Sequence, residues 1–333
     1  MYDHYIALDW AQRNMAIARM TKESPQVKGI DVPSDLKELK LYLTQLHGRK
    51  ILTFEETTTS QWLYVELRGC VDEIVICDPY RNRLLSEGPK TDRLDAERLV
   101  QLLKTGLLKP VFHTTDQLIA LRKLASGYED LVKTGVRLKN QRSALFRAQG
   151  KGKREKKLED PAEAFVLKGL DQQIDSYEVE KSRYEVEIKK LGKKHLIIRH
   201  LNQLQGIGVI GAFKIAARVV DPSRFKDKGS WLSYCGLIRH EKLSGGKSYG
   251  WRTPRYSRTK KCVFKTAALS VIHSEGNNPF YDYYRFLLKE RAYAEHHARH
   301  ALARRIAVVA LGVMKSGRPF EEERIQKRKN VTA

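Results

Sequence analysis

Apolar and polar positions change their period twice along the chain. In the first third the runs are short. Residues 4–9 (HYIALD) and 51–54 (ILTF) are mostly apolar, 14–20 (NMAIARM) alternate, and 73–77 (EIVIC) are apolar again. These predict strands, with a further one over 26–32. Between them, Leu36, Leu39, Leu43 and Leu46 fall on one helical face behind Ser34 as a candidate cap. Residues 60–69 and 92–106 also read as helices, the latter with Leu94, Leu99, Leu102 and Leu103 inward. The order is three strands, then helix, strand, helix, strand and helix. It predicts a mixed sheet in which a meander leads into crossover units.

That order is of the RNase H-like type. Beyond it the period becomes seven. Leu124, Leu131, Leu138 and Leu145 recur by heptads, and Leu121, Tyr128 and Gly135 fill the alternate positions. After a Lys/Gly-rich break at 150–157, Leu167, Leu170, Ile174, Tyr177, Tyr184, Ile188 and Leu191 resume intervals of three and four. This predicts two long helices in a coiled-coil hairpin, closed on itself or joined to a second copy. The last part opens with LQGIGVIG at 204–211, which reads either as a helix-hairpin-helix whose glycine amides meet a phosphate or as a plain tight turn. Helices are expected over 229–238, 262–274 and 292–315. Residues 239–261 are expected to be a loop rich in Gly, Ser, Lys and Arg, interleaved with Tyr249, Trp251 and Tyr256. The expected organisation is therefore an α/β domain at 1–115, a helical hairpin at 116–200 and a mainly α domain at 201–333.

Charge separates these parts. The 333 residues carry 62 Lys+Arg against 39 Asp+Glu, a net +23. Residues 1–115 are neutral, 116–200 carry +7 and 201–333 carry +16. So large a surplus points to a polyanionic partner, gripped by the later segments. The four cysteines (Cys70, Cys77, Cys235, Cys262) are scattered, which excludes a disulfide scaffold or a cysteine-rich zinc module and fits a reducing cytoplasm. No apolar run approaches the roughly 18 residues of a membrane span, and MYDHYIALDW is unlike a signal peptide. No membrane partner is expected. His296 and His300 have a spacing that zinc can use, but no third ligand is evident; a nucleic-acid-facing helix is the expectation.

The neutral part holds the candidate chemistry. Asp9 ends the first strand and Glu55 ends the strand after the first helix. Asp92 and Asp95, three apart, share the face of a helix start. Clustered carboxylates repel one another, and Mg²⁺ is the hard cation that such a set accommodates. Paired metal ions of that kind serve phosphodiester chemistry. Each acid alone can instead be a cap or a first-turn acid favoured by the helix dipole, and Glu56 competes with Glu55.

The stretches ALDW, FEETT and KTDRLDAERL, followed by LQGIGVIGAFKIAARVVDPSRF and WLSYCGLIRHEKLSGGKSYGW, resemble the DEDD transposases of bacterial insertion-sequence family one-ten. Glu56 and Thr58 stand where that family usually has Ala and Gly. The resemblance implies a catalytic domain like that of the RuvC Holliday-junction resolvase, with Asp9, Glu55, Asp92 and Asp95 as its four acids and Mg²⁺ as cofactor. It implies a serine in a Ser-Gly-Gly-Lys loop that attacks DNA phosphate covalently; the matching residue is Ser244, with Ser248 as a rival. Lys247, Arg252, Arg255, Arg258, Lys260 and Lys261 are the expected nucleic-acid contacts. It further implies target and donor DNA as substrates, a non-coding bridge RNA that pairs with both, and a dimer or tetramer in which one subunit's acids meet another's serine. The alternatives are a junction resolvase or site-specific invertase with the same acids and no RNA guide, and a non-catalytic nucleic-acid-binding protein.

Overall fold

The structure, a computed structural model, describes residues 1–82, 91–115, 117–152, 157–274 and 278–322. Residues 153–156 of the Lys/Gly-rich break and Lys90 of KTDRLDAERL lie outside the described residues. The chain divides into two compact units, Met1–Thr115 and Asp116–Ala333.

The first unit runs β1 (His4–Trp10), β2 (Asn14–Thr21), β3 (Lys28–Pro33), α1 (Leu36–Gln45), β4 (Lys50–Glu55), α2 (Ser60–Leu67), β5 (Glu73–Cys77), the short α3 (Pro79–Asn82) and α4 (Asp92–Lys104). Its sheet has the order β3-β2-β1-β4-β5. The first three strands pair antiparallel as a meander, and β1–β4 and β4–β5 pair parallel through helical crossovers. α1 is capped by Asp35, which accepts from Lys37 N and Glu38 N, and not by the expected Ser34. Ser34 instead donates its hydroxyl to Ala11 O at 2.7 Å, tying the helix entry to the β1–β2 turn.

Alternation along β1 feeds two separate cores. Tyr5 and Ala7, with Ala16, Ala18 and Ile51, pack under Ala96, Leu99, Val100 and Leu103 of α4. Ile6 and Leu8, with Met15, Ile17, Leu52 and Phe54, pack against Leu39 and Leu43 of α1 and Leu63 and Leu67 of α2. The small side chains on the first face let α4 lie close to the sheet. The two-residue period therefore assigns every odd position of β1 and β4 to the α4 side.

The second unit begins with α5 (Leu121–Ala148) and α6 (Pro161–Lys194), packed antiparallel. Arg142–Asp171 at 2.5 Å, Lys139–Glu178 at 2.5 Å and Tyr128–Glu185 at 2.8 Å mark the register. α7 (Leu196–Asn202), α8 (Val209–Val219), α9 (Lys228–Tyr234), α10 (Arg258–His273), α11 (Pro279–Lys289) and α12 (Glu295–Ser316) complete the helices. Leu121, Ala125, Tyr128 and Ile188, at the base of the pair, belong to the same core as these later helices. Phe146, Leu158 and Leu167 form a small cluster at its other end. α12 runs through the main core, burying ten residues, five of them alanines that admit close neighbours. Trp231, fully buried, donates Nε1–H to Ala307 O at 2.7 Å and so pins α9 to α12.

The structure departs from expectation at several elements. Residues 239–261 contain an antiparallel hairpin, β6 (His240–Ser244) and β7 (Lys247–Arg252), instead of a loop. α11 was not foreseen; Asn278 caps it and Phe280, Tyr284 and Leu287 bury one face.

Gly135 faces Tyr177 so closely that an added Cβ would lie 2.3 Å from the ring, whereas a Cβ at Gly169 would meet nothing within 4 Å. Gly135→Ala should therefore lower the midpoint of thermal unfolding, with overpacking costing about 1–3 kcal/mol. Gly169→Ala should raise it, by about 0.5–1 kcal/mol of helix stability. Circular dichroism at 222 nm measures both, and equal shifts in one direction would contradict the antiparallel register.

Candidate functional site

The parity of the strands decides where the acids point. Asp9 lies two residues beyond Ala7 on β1, and Glu55 two beyond Thr53 on β4; Ala7 and Thr53 are paired across the parallel ladder. Both acids thus reach the same end of the sheet, on the face that α4 covers. There the chain enters α4 through Thr91, which caps it by accepting Leu94 N–H, and Asp92 and Asp95 stand in the first turn. Asp95 also lies 3.6 Å from Arg98 of the next turn.

Asp9 registers this company. Burial, then the charges of Asp92, Glu55 and Asp95 in that order, push its carboxyl up to about 6. The other three expected acids therefore each act electrostatically on Asp9. Among the described residues, however, no group of three or more His, Cys, Asp or Glu side chains is drawn in closely enough to hold a metal ion as it stands. The donor chemistry nonetheless suits one. A half-buried carboxyl surrounded by three other acids is a hard, all-oxygen set with negative charge to spare.

The loop after β4 is held by groups that the sequence reading passed over. Buried Ser60 accepts Thr57 N–H at 2.5 Å, and its hydroxyl lies 3.0 Å from Glu55 O, fixing the backbone behind Glu55. Glu56 turns the other way, to His113 Nε2 at 2.5 Å. His113 Nδ1 faces Gln61 Oε1 at 2.8 Å, and Gln61 is oriented by its own Nε2–H to Thr114 O at 3.0 Å. Glu56 is thus engaged with His113, and Glu55 is the one of the two that Asp9 feels. Trp10 and Trp62 meet edge-on at 5.5 Å beside this end of the sheet. A histidine some fifty positions downstream of its carboxylate leaves no local pattern to find.

In the second unit the expected serine stands at a hairpin tip. Gly245 and Gly246 have φ of +55° and +75°, which closes a two-residue turn that β-carbons would strain. Ser244 is paired with Lys247, and Leu243 with Ser248. Ser244 and Lys247 therefore share one face, and Ser248 lies on the other with Leu243. Every residue of both strands is exposed. Arg252, Arg255 and Arg258 are exposed, and Lys261 lies 4.5 Å from the centre of the Tyr256 ring. Lys260 corrects the expectation. It is buried, its Nζ lies 4.0 Å over the Tyr234 ring, and burial pushes its ammonium below the ordinary range. It braces the core and does not face solvent. In the turn before α8, Gly206 (φ +86°) passes so near α10 that an added Cβ would lie 2.3 Å from Ala267 O. Helix packing accounts for that glycine without a phosphate.

Comparison with known proteins adds two matches, the first running from the first unit into the second and the other within the second. A model of DEDD transposases of the IS110 type, described as transposase, matches residues 6–148. A second, described as transposase of the IS116/IS110/IS902 family, matches residues 198–285. A curated protein of Sinorhizobium fredii (strain NBRC 101917 / NGR234), y4qE, named as a transposase, is 24% identical over 210 residues, covering 58% of this chain. The chain spans about half the length of that relative (50%).

The raised Asp9 carboxyl has a consequence for stability. Its folded pKa of about 6 lies above its ordinary value of 3.8, so between those pH values the folded state binds more protons than the unfolded. Stability is then lost as pH rises through that window. In metal-free buffer, Asp9→Asn should melt at a higher temperature than wild type above pH 6, and the difference should shrink as pH falls toward 4. Scanning calorimetry across this range checks it. A variant that is less stable at pH 7 would contradict the electrostatic crowding.

Proposed function

The chain belongs to the IS110 family of insertion-sequence transposases, and from that premise we propose that it cuts and exchanges DNA strands. Asp9, Glu55, Asp92 and Asp95 are the metal-holding acids and Ser244 is the nucleophile. The observation that carries this reading is the Asp9 carboxyl, pushed up to about 6 by burial and by the other three acids. The first unit is RNase H-like in this reading. The order β3-β2-β1-β4-β5, antiparallel for the meander and parallel beyond it, supports that assignment.

Mg²⁺ held by the four carboxylates would supply Lewis acidity toward a phosphoryl oxygen and lower the cost of gathering the acids. The chain's own residues do the rest. Ser60 anchors the backbone of Glu55, and the His113–Glu56 pair keeps the neighbouring acid out of the cluster. Ser244 Oγ gives up its proton to solvent as it attacks phosphorus and forms an Oγ–P bond; the bond from phosphorus to the deoxyribose oxygen breaks, and that oxygen takes up one proton and leaves as a hydroxyl, so protons balance. Lys247, across the hairpin on the same face, offsets charge on the phosphorane.

The partners in this reading are target and donor DNA and a guiding bridge RNA. Base pairing supplies sequence choice while the protein grips phosphates, which agrees with the +7 and +16 carried by residues 116–200 and 201–333. A homo-oligomer is part of the reading. Phe165, Val179 and Val186, 79%, 57% and 64% exposed on α6 at multiples of seven, supply an apolar stripe for a second copy. The four cysteines are free, which agrees with a reducing cytoplasm. Among the described residues no helix is long and apolar enough to cross a membrane.

Recombination of a donor and target plasmid pair tests the roles. Asp9→Asn, Glu55→Gln, Asp92→Asn and Asp95→Asn should each lower strand exchange at least about a hundredfold while leaving nucleic-acid binding intact, and Glu56→Gln should retain it. Wild type with Mg²⁺ should form a denaturant-resistant protein–DNA adduct, which mass spectrometry places on Ser244 and Ser244→Ala abolishes. An adduct on Ser248 would move the nucleophile. Cleavage by hydrolysis with no adduct would replace this reading with a junction resolvase. Sequencing of RNA that co-purifies with the protein tests the guide.

A further inference from the structure

The second unit holds a recess of about 810 Å³ that the proposed chemistry does not use. Its wall comes from three elements. Trp251 stands on β7, Lys261 and Lys265 lie one turn apart on α10, and His300 and Arg304 lie one turn apart on α12. Arg239 stands at its edge. No Asp or Glu lines it. Among the described residues, Arg239, Lys265 and Arg304 make no ion pair with an acid of this chain. The nearest acid on α12, Glu295, is spent on Arg299 at 3.3 Å.

Two further observations give the recess a direction. Trp251 is 63% exposed, a large apolar face left in water beside a cationic wall. His300 is held below its ordinary range by burial first, then by Arg304 and Lys265 and, more weakly, Lys261, against a backbone hydrogen bond with Leu237 that raises it, so these cations all act at the recess. A cationic wall of this kind asks for an anion, and an indole at its mouth asks for a flat aromatic partner. A nucleotide offers both in one unit, and a recess of this size admits one or two. In a duplex both faces of each base are already stacked. In a single strand they are free.

We propose that this recess binds single-stranded nucleic acid, stacking one base on Trp251 and seating the adjoining phosphate among Lys265, Arg304 and Arg239. The proposal rests on the nucleic-acid-handling reading above and adds a dedicated seat for an unpaired nucleotide, away from the hairpin tip that carries Ser244. Single-stranded DNA and an unpaired RNA segment share the required chemistry.

Fluorescence anisotropy of the full chain with labelled dT12, rU12 and a blunt 20-base-pair duplex tests it. Trp251→Ala should weaken binding of a single strand about tenfold or more and leave the duplex within about twofold. Trp251→Phe, which keeps a stacking face, should recover most of the loss. Lys265→Glu and Arg304→Glu should weaken the single strand further and flatten its salt dependence, each lost phosphate contact removing about 0.7 from the slope. Unchanged melting of each variant checks the fold. A preference for dT12 or for rU12 supports the seat and identifies its source. Single-strand binding that none of the variants alters would overturn the seat while leaving the transposase reading standing. Equal loss on duplex and single strand would reduce the recess to a general electrostatic surface. No binding of any nucleic acid by wild type would overturn both.

Discussion

A carboxylate half withdrawn from water and faced by three others is unfavourable, and the first unit is built around tolerating one. Asp9 continues a strand whose preceding four residues are buried, so the hydrophobic pairing of β1 with β2 and β4 carries the acid to its position whatever its own preference. The parallel pairing with β4 brings Glu55 to the same end. α4, seated on the small-residue face through Ala96, Leu99, Val100 and Leu103, brings its first turn there too. Sheet and helix burial thus offset an electrostatic cost that the acids cannot remove among themselves. Mutual repulsion of this kind is relieved wherever a cation comes among the carboxylates.

The second unit solves a different problem with its charge. Its core is helical and closed, and its basic residues are mostly kept on the outside. Lys260 is the exception, drawn under Tyr234 where its stem packs and its ammonium meets an aromatic face. The serine is carried on a part of the chain with no share in that core. A tight Gly-Gly turn fixes the geometry of Ser244 against Lys247 without fixing the hairpin to anything larger.

Much of this was legible in the residues themselves. The strands of the first unit followed from short apolar runs. The strand ends on which Asp9 and Glu55 fall followed from the same runs, and the long helices from counting by seven. What escaped was of a different kind. Ser34 and Asp35 are equally good caps by composition, and only the contact of Ser34 with Ala11 O, more than twenty residues away in sequence, decides between them. The Gly-, Ser- and Lys-rich stretch after α9 has the composition of a loop, so its hairpin depended on reading Gly245-Gly246 as a turn with two positive φ angles. Lys260 looks like its exposed neighbours because burial of one lysine in a basic run is decided by helix phase. The His113–Glu56 pair joins residues 57 apart, a relation that no local spacing records.

Each unit has hydrophobic cores of its own, and this bears on how the protein is made. The last link of the first sheet, Val111 N–H to Ile76 O at 2.7 Å, lies just before that boundary. Domains fold as units during synthesis, at about 5–20 residues per second, so the remaining Asp116–Ala333 take roughly ten to forty seconds to emerge. For that interval the nascent chain can carry the finished first unit, with its four neighbouring acids, while the basic segments of the second unit are still to come. A ribosome that stalls in the second half would release a folded, electrically neutral first unit without the positive charge of the rest, so an interrupted synthesis yields a product whose charge differs in kind from that of the whole chain.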